Sequence, residues 1–337
     1  MLLPVKRRIL PLYLLLLLLI AAAIVFKGKA QKTANNDLPK GAALSKFEII
    51  GNRVKFSPLN KDLAAKFTGT KAYEHVSALS KAGPRPPGSK GYEAALAYLE
   101  KEFKAAGWIT TRQKFNGQTP KGEITFINLL ARFHDPVTPW SSSTPVVIGG
   151  HLDSKKMDDF TFVGANDGGS STGVILELAQ VLASDPESAS KVEFVLFDGE
   201  EALGESITPT DGLYGSKHFA REMMRRDARP SVGIVLDLVG DDRQDFYYNP
   251  ETPRSFATAV ENAARESGMA KLRRSQGAII DDHIPLQEVG LPCLHLIGDF
   301  MNMPYWHKAG DTMEVIDADA LKKTGRTTLR FLSTVAP

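Results

Sequence analysis

Apolar runs in this sequence break abruptly into acids and imidazoles, and chemistry is expected at those breaks. The run Phe194-Val195-Leu196-Phe197 leads straight into Asp198-Gly199-Glu200-Glu201. Three carboxylates at a buried strand end repel one another and lose solvation, so a cation or a retained proton has to compensate. One glutamate can then bind a metal while its neighbour works as general base. Earlier, Ile148-Gly149-Gly150 opens onto His151-Leu152-Asp153. There the carboxylate can orient the imidazole, or both can line a metal pocket. In Asn166-Asp167-Gly168-Gly169, Asp167 stands just before a helical stretch, placed to cap it or to face a metal.

Two later stretches complete the set. Asp281-Asp282-His283-Ile284-Pro285 and Tyr305-Trp306-His307 add acids and imidazoles, while His283 and His295 read as satisfied core histidines. Gly169-Ser170-Ser171-Thr172-Gly173 matches a nucleophile-elbow pattern, but an elbow needs a strand ending at the serine, and a polar turn intervenes. No HExxH occurs, so ligands have to come from separate loops rather than one helix. Imidazole with carboxylates, and no redox cysteine pair, suits Zn²⁺ held by three protein ligands with an open position. The single cysteine, Cys293, lies in an apolar run and reads as a core thiol, which excludes an intrachain disulfide.

The elements that must position these residues alternate. Helical patterning covers 71–82 and 91–107, with Pro84-Arg85-Pro86-Pro87-Gly88 as a hard break between them. Extended runs at 109–115 and 123–133 follow. Strand-like segments at 145–150, 192–197, 232–238 and 291–297 interleave with helical stretches at 170–183, 214–226, 253–267 and 318–332. This predicts an α/β fold, with a mixed, mostly parallel central sheet flanked by helices on both faces as a three-layer sandwich. His151, Glu200, Glu201 and Asp237 then fall at the carboxyl ends of strands, where open α/β sheets build their sites.

The chain has 337 residues and is 43% hydrophobic, enough for one large core, and its net charge of +2 does not suggest a nucleic-acid partner. Residues 9–26 are uncharged and apolar and follow Lys6-Arg7-Arg8, the pattern of a membrane-spanning signal-anchor or a cleaved signal peptide. We assign 1–30 to that segment, 31–58 to a polar linker or arm, and 59–337 to the catalytic domain, outside the cytoplasm.

Taken in order, these motifs resemble the zinc aminopeptidase superfamily, and within it the glutaminyl cyclases. The likeness runs from about residue 71 to 332, starting at Gly83-Pro84-Arg85-Pro86-Pro87-Gly88-Ser89. It includes HLDSK at His151, FDGEEA at Phe197, Leu213-Tyr214-Gly215-Ser216, LDLVG around Asp237, DDHIP at Asp281 and Trp306 before His307. The resemblance implies a single zinc on Asp167, Glu201 and His307, Glu200 as proton shuttle, and Asp237 and Asp281 as a supporting carboxylate network. It implies Trp306 as a wall against the substrate. The activity implied is conversion of N-terminal glutamine of peptides or proteins to pyroglutamate with release of ammonia. The alternative within the superfamily is a two-zinc aminopeptidase, with His151 and Asp237 on a second zinc and Asp153 beside them. Where the better-known animal cyclases carry a tryptophan, a rough alignment places Ile207 here.

Overall fold

The computed structural model describes residues 47–134 and 139–337. In chain order the elements are β1 (Ile49–Ile50), β2 (Arg53–Val54), α1 (Leu63–Lys66), α2 (Thr70–Ala82), α3 (Lys90–Ala105), β3 (Trp108–Thr119), β4 (Gly122–Phe133), β5 (Val146–His151), α4 (Gly169–Leu182), α5 (Pro186–Ser190) and β6 (Val192–Phe197). They continue as α6 (Tyr214–Met223), β7 (Val232–Asp237), β8 (Phe246–Tyr248), α7 (Arg254–Glu266), β9 (Leu272–Arg274), α8 (His283–Glu288), β10 (Cys293–Gly298) and α9 (Ala318–Thr334).

Eight strands form one sheet in the order β3-β4-β6-β5-β7-β10-β8-β9. Its centre, β6-β5-β7-β10, is parallel, while β3, β4 and β8 join antiparallel. The central strands are buried on both faces, which is why they read as continuous apolar runs rather than alternating ones. Successive residues still point to opposite layers. Val146 and Ile148 enter the core shared with α2, α3, α4, α7 and α9, whereas Val147 packs with Phe219 and Met223 of α6 and Leu286 of α8. The result is the three-layer mixed sandwich.

After β5 the chain crosses to β6 on one side, then returns past β5 to β7 on the other. The strand order reverses at the carboxyl end of β5, where His151 sits, and a crevice opens there. The helix that follows, α4, is almost wholly buried, which requires close approach to α2. A Cβ on Gly173 would lie 2.6 Å from Val76 and 2.7 Å from the Ala72 carbonyl. Glu177, also on α4, caps α2 by accepting the backbone N–H groups of Thr68, Gly69 and Ala72.

One detail differs from expectation. The folded body begins before residue 59: Val54 is fully buried, its N–H donates to the Arg229 carbonyl, and its carbonyl accepts from Ser231 Oγ. Backbone pairing, which leaves no trace in side-chain periodicity, holds this segment. Ser171 lies inside α4, buried and donating to the Gly168 carbonyl, so it is no elbow nucleophile. Among the described residues no helix is long and apolar enough to cross a membrane, and the apolar run 9–26 lies outside them.

Candidate metal centre

Asp167, Glu201 and His307 come from three separate loops and meet. His307 Nε2 lies 3.4 Å from Asp167 Oδ2 and 3.4 Å from Glu201 Oε1. Both of those carboxylate oxygens are buried and find no hydrogen-bond partner among the described residues. Asp167 is shared with a second group, since His151 Nε2 is 3.2 Å from Asp167 Oδ1 and 3.1 Å from Asp237 Oδ1. Ligand atoms in each of these two groups lie within 4.8 Å of one another.

The turn carrying Asp167 depends on Gly168, whose φ is 75° and where a Cβ would sit 2.6 Å from the Asp153 carbonyl and 2.9 Å from the His151 ring. Gly168, not Asp167, is the N-cap residue of α4, leaving the Asp167 carboxylate for the cluster. Among the described residues, three non-glycine residues adopt positive φ, namely Leu213, Leu238 and His307. Leu238 follows Asp237, Leu213 N–H donates to the Glu200 carbonyl, and His307 is itself in the cluster. Strain of this kind persists only where surrounding contacts over-determine the backbone.

The backbone around the cluster is held by carboxylates, of which the motifs marked only Asp153. Asp153 accepts the backbone N–H groups of Glu200 and Glu201, at 3.2 and 3.3 Å. Asp311 does the same for Asn166 and Asp167, at 2.7 and 3.0 Å. Asp211 accepts from Leu203 and Gly204 and from the Tyr214 hydroxyl. Asp153 thus holds the glutamate turn, while its Oδ1 also lies 3.6 Å from His151 Nδ1. Lys155 is buried, donates to the Ala202 carbonyl, and stands 3.5 Å from Glu201 Oε2.

A pocket of about 290 Å³ opens over the cluster. Its lining includes Asp167, Glu200, Glu201, Asp237, Asp281 and His307, and an apolar side of Ile207, Leu238, Ile279, Ile280, Ile297, Phe300 and Trp306. Trp306 stacks on His307 at 4.3 Å and tilts against Phe300 at 4.9 Å. Behind the pocket, Asp281 Oδ2 is 2.8 Å from His295 Nε2, and His295 stacks on His283 at 4.1 Å. Both imidazoles are buried as expected. Neither, however, is satisfied by a hydrogen bond among the described residues; His295 has the Asp281 carboxylate at ion-pair distance, and burial beside His295 drives the His283 pKa to about 2.

The electrostatics suit a bound cation. Burial pushes the Glu200 carboxyl well above its ordinary value; His151 opposes this, and the Asp281 and Glu201 charges reinforce it. Burial likewise lifts Asp237 to about 6 against the pull of His151. His307 would be lowered by burial, yet Asp167 and Glu201 carry it up to about 10. Crowded acids that hold protons, two orphaned oxygens and an imidazole between them form a donor set for a divalent metal.

Fold and site together define a metallo-exopeptidase-like α/β enzyme, with ligands drawn from loops at the carboxyl ends of parallel strands. Residues 128–332 match the model of Peptidase family M28. The chain is 32% identical over 274 residues to a glutaminyl-peptide cyclotransferase of Bos taurus, covering 69% of this chain and 73% of that one. Among solved structures it is similar to Porphyromonas gingivalis glutaminyl cyclase, with a TM-score of 0.71, 27% identity, and 80% and 98% of the two chains covered. It is also similar to a Zn-dependent exopeptidase from Parabacteroides distasonis, with a TM-score of 0.69, 27% identity, and 79% and 98% covered. The chain belongs to Peptidase family M28 and stands with its glutaminyl-peptide cyclotransferases.

Proposed function

We propose that this enzyme converts the N-terminal glutamine of peptides or proteins to pyroglutamate and releases ammonia. Support comes from the joining of three features in one pocket: the Asp167, Glu201 and His307 donor set, Glu200 beside it, and an apolar wall closed by Trp306. Kinship with the bovine cyclotransferase supplies the substrate class.

Asp167, Glu201 and His307 would hold zinc, which when bound supplies Lewis-acid polarisation of the side-chain amide carbonyl. Glu200 carries the proton. Its carboxylate accepts a proton from the α-amino group as that nitrogen bonds to the side-chain amide carbon, and delivers it to the departing amide nitrogen, which leaves as ammonia. No water enters the balance. Burial of the Glu200 carboxyl supports this role, because a base of raised proton affinity can both take and return a proton near neutral pH. Trp306, Ile279 and Ile297 bury the glutamine methylenes and exclude water. Asp237 and Asp281 flank the leaving nitrogen as a carboxylate pair whose charge is shared with His151 and His295.

A second reading, an aminopeptidase, draws on the His151, Asp167 and Asp237 group, which has the makings of a second metal site. Peptide assays on the purified, metal-analysed protein separate the two. Ammonia release from glutaminyl peptides with a single zinc per chain supports the cyclotransferase. Free amino-acid release from leucyl or alanyl peptides with a pair of zinc ions overturns it. We place the enzyme outside the cytoplasm, tethered through the apolar run 9–26; recovery in the membrane fraction, lost on deleting 1–30, tests the tether.

A further inference from the structure

Arg85, from the proline-rich break between α2 and α3, is fully buried although it carries a guanidinium. No carboxylate lies within ion-pair distance of it among the described residues. Instead Nε donates to the Leu152 carbonyl at 2.8 Å, Nη1 to Val163 at 2.6 Å and Nη2 to Gly164 at 2.9 Å. Its backbone N–H donates to Ser154 Oγ, and its carbonyl accepts from the Ser154 N–H. The side chain therefore grips two loops at once. One carries His151 and Asp153, and through Asp153 the Glu200-Glu201 turn. The other turns at Gly164, whose carbonyl accepts the Gly169 N–H, and delivers Asp167.

Burying a charge without an ionic partner is costly, and a structural arginine would pair, as Arg132 does with Glu193 at 2.8 Å. Burial opposes the Arg85 charge, and the acids that favour it most are Asp311, Asp153 and Asp167, all members of the site or its supports. The geometry points to Arg85 as a positioning residue of the metal centre, whose planar fork fixes the spacing between the Asp167 loop and the His151-Asp153 loop. The inference rests on the metal-site reading above, not on the reaction catalysed there.

Geometry and charge predict opposite signs. A nearby cation taken as a bare charge weakens binding of a second cation, so removing it would tighten zinc. Removing a spacer loosens zinc. Arg85→Lys keeps the charge and loses the fork. Zinc affinity, read by chelator competition, is expected to fall about 10–100-fold in Arg85→Lys, the usual effect of losing a group that orients metal ligands. The visible absorption of the cobalt-substituted variant should shift at saturating cobalt, since ligand placement has changed. Arg132→Lys, remote from the site, should lower thermal stability and leave zinc affinity and the cobalt spectrum alone. Ser154→Ala, a milder lesion on the same grip, should weaken zinc several-fold in a folded protein even if Arg85→Lys does not fold. Wild-type zinc affinity and cobalt spectrum in the folded Arg85 or Ser154 variant overturn the inference, as does an equal loss in Arg132→Lys. Failure of the wild-type chain to bind zinc would sink the metal site itself.

Discussion

Asp153→Asn replaces one buried oxygen with an amide nitrogen and barely changes shape. The native carboxylate accepts the N–H groups of both Glu200 and Glu201. The amide offers a single acceptor, so one N–H keeps a neutral bond while the other faces a second donor. At 3.2 and 3.3 Å the native bonds are long, which places each near the lower end of the charge-assisted range. Weakening one and orphaning the other costs about 2–4 kcal/mol. For a domain of this size that lowers Tm by roughly 4–8 °C.

Metal state modulates that cost. In the zinc-free protein Asp153 adds to a crowd of acids, and its charge raises the pKa of neighbouring Asp198 after burial has already done so. Neutralising Asp153 relieves that repulsion, so the metal-free variant should lose less stability than the zinc-loaded one. Loosening of the Glu200-Glu201 turn by about 1 Å should cut kcat roughly 10²-fold, with KM changing less. Thermal melts with and without zinc, together with ammonia release from a glutaminyl peptide, measure both. Wild-type turnover with an unchanged zinc-loaded Tm refutes the clamp. Loss of a whole zinc equivalent at unchanged stability would make Asp153 a ligand instead.

Glu200→Gln should retain zinc and lose about 10²–10⁴-fold in turnover, because Glu200 supplies a proton path and stands outside the Asp167, Glu201 and His307 donor set. A zinc-replete, fully active Glu200→Gln protein would remove Glu200 from the mechanism; His307→Ala should lose metal and turnover together. Acid stability reports on a different place. Burial would raise the Glu193 carboxyl, but Arg226 and Arg132 hold it below its ordinary 4.5. A depressed carboxylate stabilises the fold above its unfolded pKa, and that contribution is lost as pH falls through the lower folded value. Glu193→Gln should therefore cost about 3–5 kcal/mol at neutral pH, by leaving two buried arginines unpaired, and should shrink the stability change below pH 4.5. An acid-unfolding profile parallel to wild type would contradict it.

The parallel core was legible because β5, β6, β7 and β10 are buried on both faces and so spell apolar runs that end in polar residues. Their ends marked His151, Glu200, Glu201 and Asp237, and the structure brings the last three to one pocket with Asp167, Asp281, Trp306 and His307, with His151 against Asp167 and Asp237. The strands β8 and β9 have three residues each, too few to show a period, and hydrogen bonds to β10 and to each other define them. Arg85 was visible only as part of a proline-rich break, since nothing local says that its guanidinium reaches three carbonyls elsewhere in the chain. Asp211 and Asp311 were lost among 39 acids. Their partners are backbone N–H groups, which carry no sequence identity.

Those backbone partners explain why an acid-rich site need not be a site of many ligands. A turn at a strand end leaves consecutive N–H groups without ladder partners, and a buried one is costly if unpaired. Asp153, Asp211 and Asp311 each take two of them, and Asp153 and Asp311 do so from a different loop than the one they hold. The loop after β5 thus fixes the turn after β6, and the loop after His307 fixes the turn before α4. Glu201 and Asp167 are thus each held by the loop of another metal-facing residue. Positive φ at Leu213, whose N–H donates to the Glu200 carbonyl, is tolerable in such a frame, because that turn cannot relax without breaking the bonds of its neighbour. The carboxylates that crowd the crevice therefore divide into those that face a cation and those that fix the backbone. The second kind makes the spacing of the first reproducible.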